Sequence, residues 1–475
     1  MNEALDSMDS RPLGELLCPE PEERPDLWPW SARRREDGVL EIGGVAMSEV
    51  AQEFATPVFV LDRADLRGRA NIWATAMAEE FWDGYGMNGG DAFYAGKAFL
   101  CSDVVRTVSE VGMGIDTASL GELTMALRSG AEPSRIGLHG NNKLDSEIEL
   151  ALRAGGGKGI ERIFVDSLPE VAQIEAIAGR LNTIARVMIR VKTGVHAGGN
   201  EYISTGHEDQ KFGVGAFDGQ LEEVLFAIEA APHLEFRGLH SHIGSQIYGT
   251  AAFEEAASII CSLAKKISEM IGRPVEEIDL GGGVGVAYTG DDEPPTPPVE
   301  VVRQIARSVR DACVELDMKI PRVSVEPGRS IAGPSAVTLY RVGAVKDAKL
   351  AEGFTRRYVA VDGGMADNIR PALYGARYTA TLANRVSDAE LVRSRVVGKH
   401  CESGDIVVWD VDLPSDVRAG DLLVVPVTGA YGYSMASNYN MLTKPGVIAI
   451  EDGAAEWIMR PQTVEDLLAL DPGLD

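Results

Sequence analysis

Cysteine is scarce in this chain. Five occur in 475 residues, at positions 18, 101, 261, 313 and 401, and no CxxC pair is present. An odd, scattered set offers neither a disulfide framework nor a zinc site, so no metal is expected. Long apolar runs are missing as well. No stretch of roughly 18 apolar residues occurs to span a membrane. The first ten residues are acidic and lack the charged-then-apolar pattern of a signal segment, so the chain reads as cytoplasmic. Positive charge is also short: 45 Lys and Arg face 72 Asp and Glu, a net charge of -27. Phosphate backbones need a basic face, which argues against nucleic acid, and the same deficit argues against anionic membranes. What is present is 45% apolar and 25% charged residues, the balance of a globular protein with a sizeable core. The length suits two or three ordinary domains, or one large barrel with a smaller domain.

Residues 1–26 are acidic and proline-rich and are expected to form a flexible N-terminal arm. Strand-like runs at 39–42 and 57–61 follow, and within residues 27–61 they are candidates to join a later β domain. From Asp91 the pattern becomes regular, and residues 62–333 read as one unit. Short β-rich runs recur at 92–97, 114–117, 135–139, 162–166, 186–191, 236–240, 277–280 and 322–325, each followed by a segment of helical period. Ser119-Leu-Gly-Glu122 is a capping box, with a stop at Gly130. Phe253, Ala257, Ile260, Ala264, Ile267 and Ile271 share one helical face before Gly272. Strand and helix alternating in this way predict an α/β fold, a parallel (β/α)8 TIM-like barrel, with a doubly wound open sheet as the alternative. Two connections, 196–212 and 288–298, are longer than a barrel needs, and the second reads as acidic, proline-rich filler. Residues 334–475 then change character, with strands near 337–345, 357–361, 405–409, 421–425 and 446–450 and little helix. They predict a C-terminal all-β domain.

The chemistry is expected where barrel strands end. The stretch Asp91–Leu100 carries a lysine, Lys97, at the end of an apolar run. A lysine drawn out of water there becomes a nucleophilic amine able to form Schiff bases, whereas one whose ammonium reaches water is inert. Gly281-Gly-Gly-Val-Gly285 and Glu326-Pro-Gly-Arg329 follow the seventh and eighth strands, the usual phosphate site of such barrels. Glycines there let backbone N–H groups approach phosphate oxygens, and an arginine adds a charged fork. A GxGxxG at Gly84, Gly86 and Gly89 precedes a strand rather than following one, the wrong order for a dinucleotide fold. A reactive lysine, a phosphate cradle and an acid together suggest pyridoxal phosphate, with Glu326 beside the pyridine nitrogen. His240 and His242 alternate at a strand end, and His242 could stack on the ring.

These stretches, with Tyr94-Ala-Gly-Lys-Ala98, Asp116-Thr-Ala-Ser-Leu-Gly-Glu-Leu123, His139-Gly-Asn-Asn-Lys143, His240-Ser-His-Ile-Gly-Ser-Gln246, Arg370-Pro-Ala-Leu-Tyr374, Cys401-Glu-Ser-Gly-Asp405 and Gly429-Ala-Tyr-Gly-Tyr433, carry a resemblance. Over about residues 55–450 the chain resembles the fold-type III pyridoxal-phosphate decarboxylases, and within them the family acting on meso-diaminopimelate. The resemblance implies a barrel plus a β domain, pyridoxal 5'-phosphate as cofactor, and L-lysine and CO2 as products. It implies Lys97 as the lysine bound to the cofactor, His242 on the ring face and Glu326 at the ring nitrogen. Ser245, Gly283 and Arg329 would lie at the phosphate end. Arg329, Arg370 and Tyr374 would take substrate carboxylates, and Tyr431 would touch cofactor and substrate. Cys401, as proton donor, and Glu402, toward the distal ammonium, would come from a second subunit, which implies a homodimer with shared active sites.

The charges suit that substrate. Diaminopimelate carries a distal ammonium and a distal carboxylate, and Glu402 with Arg370 supplies the matching pair. Ornithine or lysine would leave Arg370 as an uncompensated cation near their own. A decarboxylase of another basic amino acid, an alanine-racemase-like enzyme and an inactive binding homologue are the competing readings. The last has no need of Lys97, Glu326 and Cys401.

Overall fold

The computed structural model describes residues 9–195, 211–349 and 355–474. They divide into two compact units, one of residues 67–285 and 295–330, the other of residues 1–66, 286–294 and 331–475. The long connection at 196–212 lies, but for its last two residues, outside the described residues.

The first unit is a closed barrel of eight parallel strands. In chain order they are β1 (Gly90–Ala95), β2 (Gly114–Thr117), β3 (Ile136–Leu138), β4 (Arg162–Val165), β5 (Ala185–Lys192), β6 (Leu234–His240), β7 (Glu277–Asp279) and β8 (Arg322–Val325). Val323 pairs with Gly90 and Ile163 with Val187, so β8 meets β1 and β4 meets β5. Those pairings leave no open edge, which excludes the open-sheet alternative. The helices behave as their punctuation predicts. Ser119 Oγ accepts from the Glu122 N–H at 3.2 Å and starts helix Leu120–Arg128. Helix Ala251–Ile271 buries Phe253, Ala257, Ile260, Ala264 and Ile267 and ends at Gly272 in the left-handed region, φ 69°.

Strand period sets what fills the barrel. Alternate residues face inward, so Arg162 and Phe164 on β4, and Ser324 with Glu326 along and just past β8, share the interior. Arg162 is fully enclosed. Its guanidinium bonds Asp279 Oδ2 of β7 at 2.7 Å and Ser324 Oγ at 2.8 Å, and it lies 3.9 Å over the Phe93 ring. Ser324 Oγ in turn donates to Asp279 at 2.8 Å, which closes the triangle.

The second unit is β-rich. One sheet runs through strands Ile406–Pro414, Leu391–Val397, Thr355–Val361, Ala336–Lys349, Val58–Asp62, Gly446–Glu451 and Ala454–Met459. The early strand Val58–Asp62 sits inside this sheet, antiparallel to Ala336–Leu339 and parallel to Gly446–Ile450. Leu40 and Ile42 belong to a small separate sheet, yet they are buried in the same apolar core as Val58, Leu339 and Ile448.

Two sequence expectations need correction here. From Asp9 the N-terminal arm is anchored rather than flexible. Arg393 donates to the Asp9 and Arg11 carbonyls at 2.6 and 3.0 Å, and the Gly14 and Leu16 N–H groups bond the Asp412 carboxylate. Within it Leu16 and Cys18 are buried, as are Leu27 and Trp28 just beyond it, while Leu13 and Leu17 stay exposed, an anchorage that acid and proline content conceals. The second long connection is not filler either. Asp292 accepts from the Tyr288 and Thr289 N–H groups at 2.8 and 2.9 Å, and Asp291 pairs with Arg11 and Arg377.

Removing one partner of an enclosed ion pair strands the other charge, at a cost of about 3–5 kcal/mol. Arg162→Ala should therefore lower the stability to chemical denaturation by that order, whereas exposed Arg153→Ala should change it by under about 0.5 kcal/mol. Equal midpoints for the two variants would refute the central place given to the Arg162 triangle.

Candidate active site

The next inward positions up the barrel form a polar layer. Asp116 of β2, Phe164 of β4, His240 of β6 and Glu326 just past β8 come from alternate strands, the usual make-up of a barrel layer. His139, following β3, joins them by stacking on Phe164, with ring centroids 3.8 Å apart and planes 12° from parallel. Both imidazoles approach one oxygen of Glu326: Nε2 of His139 lies 3.0 Å and Nε2 of His240 3.2 Å from Oε1. His139 Nε2 is also 3.7 Å from Asp116 Oδ1.

The electrostatics follow from this crowding. Burial works to raise the Glu326 carboxyl, but the two imidazoles hold it well below the usual carboxylate range. Burial works to lower His139, and is overcome by Glu326 and Asp116, so its pKa is raised. His240 is brought down to about 4, chiefly by burial, although Glu326 opposes it. Asp116 is pushed up by burial and by the nearby Glu326 charge. The arrangement thus favours the charged forms of Glu326 and His139 and the neutral form of His240.

Beyond this layer the loops after β6 and β7 are zipped together. The Ile247 N–H donates to the Gly283 carbonyl at 2.9 Å, and the Gly285 N–H to the Ile247 carbonyl at 2.9 Å. Glycine is required in the run. Gly283 has φ 116°, and a Cβ on it would lie 2.3 Å from the Gly244 carbonyl oxygen, while one on Gly282 would lie 2.1 Å from the Glu326 carbonyl oxygen. Arg329 Nη2 donates to Ser245 Oγ at 2.9 Å, which brings Ser245, Gly283 and Arg329 into one neighbourhood. The Gly282 N–H donates to His242 Nδ1 at 3.2 Å and orients that ring. His240 and His242, expected to act side by side, take different partners, because His240 ends β6 and His242 lies in the loop beyond it.

Lys97 departs from expectation. β1 stops at Ala95, the Gly96 N–H bonds the Asp116 carbonyl at 2.9 Å, and Lys97 follows in a turn as an exposed residue. The barrel's last rung is used before the lysine, so its amine is not desolvated by the strand. It remains close enough for its charge to add to burial in lowering His242.

The other predicted residues lie in the β-rich unit. Arg370 and Tyr374 begin and end a short helix, and Arg370 is buried. Its guanidinium bonds the Tyr378 hydroxyl and lies 4.6 Å over the Tyr288 ring. Burial opposes its charge, but the two tyrosines raise its pKa above the ordinary guanidinium value. Cys401 is the exposed cysteine, the other four being buried. Its N–H bonds Asn440 Oδ1 at 3.1 Å, and exposed Glu402 accepts from the Gly404 N–H in the same turn. Tyr431 takes a left-handed backbone, φ 59°, half-buried beside Gly432. Among the described residues no contact joins Arg370 to Cys401 or Glu402. Sequence reading placed Asp116 and His139 at strand ends facing the site without a stated role, and gave Tyr288 and Tyr378 none. For the first two, inward phase at a strand end was the available signal; the tyrosines carried none.

Comparison with known proteins now decides the family. Residues 66–333 match the family described as pyridoxal-dependent decarboxylase, pyridoxal binding domain. A Mycobacterium tuberculosis protein named diaminopimelate decarboxylase is 45% identical over 451 residues, 94% of this chain and 98% of its own. This chain belongs to the diaminopimelate decarboxylase family of pyridoxal-dependent decarboxylases. Two solved structures of the family agree in fold. Diaminopimelate decarboxylase from M. jannaschii superposes with a TM-score of 0.85 at 27% identity, over 94% of this chain and 99% of that one. The Helicobacter pylori structure, complexed with L-lysine, gives 0.79 at 30% identity over 89% and 98%.

The family's cofactor is pyridoxal phosphate, and the barrel's own residues fit it. Glu326 is a fixed anion able to face a ring nitrogen, His242 is an oriented flat ring, and the glycine run admits no Cβ where a phosphate would approach. Gly283→Ala should weaken pyridoxal phosphate binding to the apoprotein at least tenfold by equilibrium dialysis. Unchanged affinity would make the run a tight turn and no cradle.

Proposed function

We propose that this enzyme removes CO2 from meso-2,6-diaminopimelate and releases L-lysine, the last step of lysine formation. The observation that carries the reading is near full-length identity to proteins named diaminopimelate decarboxylase, on a chain whose reactive positions all hold the residue types required. Pyridoxal phosphate, when bound, supplies the electron sink for the charge left at the α-carbon. Lys97 provides the amine that carries the cofactor, and its place in the turn just past β1 leaves that amine accessible at the strand-end face of the barrel. Glu326 keeps an anion at the ring nitrogen, where it favours the protonated ring. Ser245, Gly283 and Arg329 hold the phosphate, and His242 covers a ring face.

Arg329, Arg370 and Tyr374 bind substrate carboxylates, and Tyr431 contacts cofactor and substrate. Arg370 suits a carboxylate because its charge is buried, rigidly held and matched only by neutral tyrosines. Cys401 delivers the proton that replaces the lost carboxylate, and Glu402 takes the distal ammonium. Both are exposed in the chain that carries them, which favours their donation to a second copy. The working enzyme on this reading is a cytoplasmic homodimer with shared active sites.

CO2 release is measured with meso-diaminopimelate, ornithine, arginine and lysine offered separately to the purified holoenzyme. Release from diaminopimelate alone, with L-lysine appearing, is expected. Release mainly from a substrate without the distal carboxylate would overturn the Arg370 and Glu402 assignments. For the shared site, inactive Lys97→Ala and Cys401→Ala proteins are mixed under conditions where subunits exchange. A hybrid C2 dimer carries one intact site of two, so on the order of a quarter of wild-type activity should return. No recovery from exchanging subunits would sink the shared site.

A further inference from the structure

A carboxylate enclosed in a barrel must be held ionised and held still, and one side chain in this barrel is arranged to do both. His139 meets Glu326 Oε1 at 3.0 Å through Nε2, with its ring flat on Phe164 at 3.8 Å and its edge 3.7 Å from Asp116 Oδ1. His240 reaches the same Oε1 at 3.2 Å and crosses Phe164 edge-on, with ring centroids 4.8 Å apart. Two imidazole nitrogens crowded onto one oxygen restrict rotation about the Glu326 side chain and so set the direction of its second oxygen.

We propose that His139 is a positioning residue for the decarboxylase, its ring clamped by Phe164 and set against Glu326 and Asp116 so that Glu326 stays in place as the ionic partner of the cofactor's ring nitrogen. This rests on the reading that Glu326 faces that nitrogen. The two histidines do not share the task equally. His240 lies deep and is brought down to about 4, which favours its neutral form, whereas His139 is raised by its two carboxylate neighbours, which favours its cation. The titratable groups around Glu326 from the packed elements are Asp116 of β2, His139 after β3, Arg162 of β4, Arg190 of β5, His240 of β6, His242 just past it, lowered by burial, and Asp279 of β7. Arg162 is engaged by Asp279, and Arg190 lies 4.5 Å over the Phe212 ring. His139 is therefore the cation in direct contact with Glu326. Its charge balances the anion while the ring nitrogen is neutral, and without it an enclosed carboxylate would take up a proton itself and cease to favour a protonated ring.

The test reads the ring nitrogen directly. Holoenzyme is reconstituted with pyridoxal phosphate labelled with 15N in the ring, and the resonance is followed in wild type, Glu326→Gln and His139→Gln. Glutamine at 139 keeps a donor amide but cannot carry charge. Wild type should show the protonated position, and both variants should move toward the unprotonated one. His139→Gln should also lower kcat roughly tenfold to a hundredfold, as for groups that orient a primary ligand, with KM little changed. If Glu326→Gln leaves the nitrogen protonated, the Glu326 reading fails and the inference falls with it. If Glu326→Gln moves the resonance and His139→Gln does not, the inference alone is wrong. A measurement needing no variant stands beside these. In wild-type holoenzyme the imidazole of His139, followed by its own 15N resonances, should stay cationic at pH 7 and above, and the ring nitrogen should lose its proton as His139 does. A neutral His139 at pH 7, or a ring nitrogen that ignores its titration, would overturn the assignment.

Discussion

The interaction on which the rest depends is the burial of Glu326 at the end of the last barrel strand. An unpaired carboxylate there would be costly, several kcal/mol even after relaxation, and would keep its proton instead. The barrel's answer is a layer drawn from alternate strands, with two imidazoles on Oε1 and Phe164 as the surface on which one of them rests. Beneath it lies the Arg162–Asp279–Ser324 triangle, whose arginine also feels the Asp116 and Glu326 charges of the layer above. Closure of the barrel makes both layers possible. β8 must pair with β1, and β4 with β5, for residues distant in sequence to meet across the interior.

Much of this was legible beforehand because strand identity is local information. Each of the eight β-rich runs carries its own apolar signal, and the strand ends follow from where those runs stop. Partner choice is not local. That His139 and His240 converge on Glu326 depends on strand tilt and stagger around the closed sheet, which no run encodes by itself. Lys97 shows the limit in the other direction. Its position at a strand end was read correctly, but burial was inferred from its neighbours, and a turn at Gly96 carries it out into the exposed surface.

The β-rich unit was harder for a different reason. Its sheet takes one strand, Val58–Asp62, from ahead of the barrel and sets it between strands that begin at Ala336 and Gly446. Composition revealed the strand but could not rank its possible neighbours. The arm was misjudged because composition averages over residues. Acid and proline dominate residues 9–26, yet a few apolar side chains and two charged anchors, Arg393 and Asp412, decide the outcome. Arg370 was read as a cation for a substrate carboxylate, and it is buried beside tyrosines whose contribution no motif announced.

The two units therefore carry different kinds of constraint. Residues proposed for the cofactor, Tyr431 apart, sit at or past barrel strand ends, where Glu326 is crowded by two imidazoles, Ser245 and Arg329 are bonded to each other and Gly283 tolerates no side chain, while Lys97 lies in an exposed turn. Residues proposed to recognise the substrate, apart from Arg329, sit in the β-rich unit on a short helix and on turns, at Arg370, Tyr374, Cys401, Glu402 and Tyr431. A change at Glu326 or Gly283 disturbs closely packed neighbours, so few substitutions there are neutral. A change at Glu402 disturbs only its own exposed turn. Arg370 stands between these cases, because its charge is buried yet its partners are neutral tyrosines rather than an acid. Exchanging it would remove a cation without stranding an anion within the chain. On physical grounds, then, the distal preference can be altered at far lower cost to the fold than the cofactor chemistry.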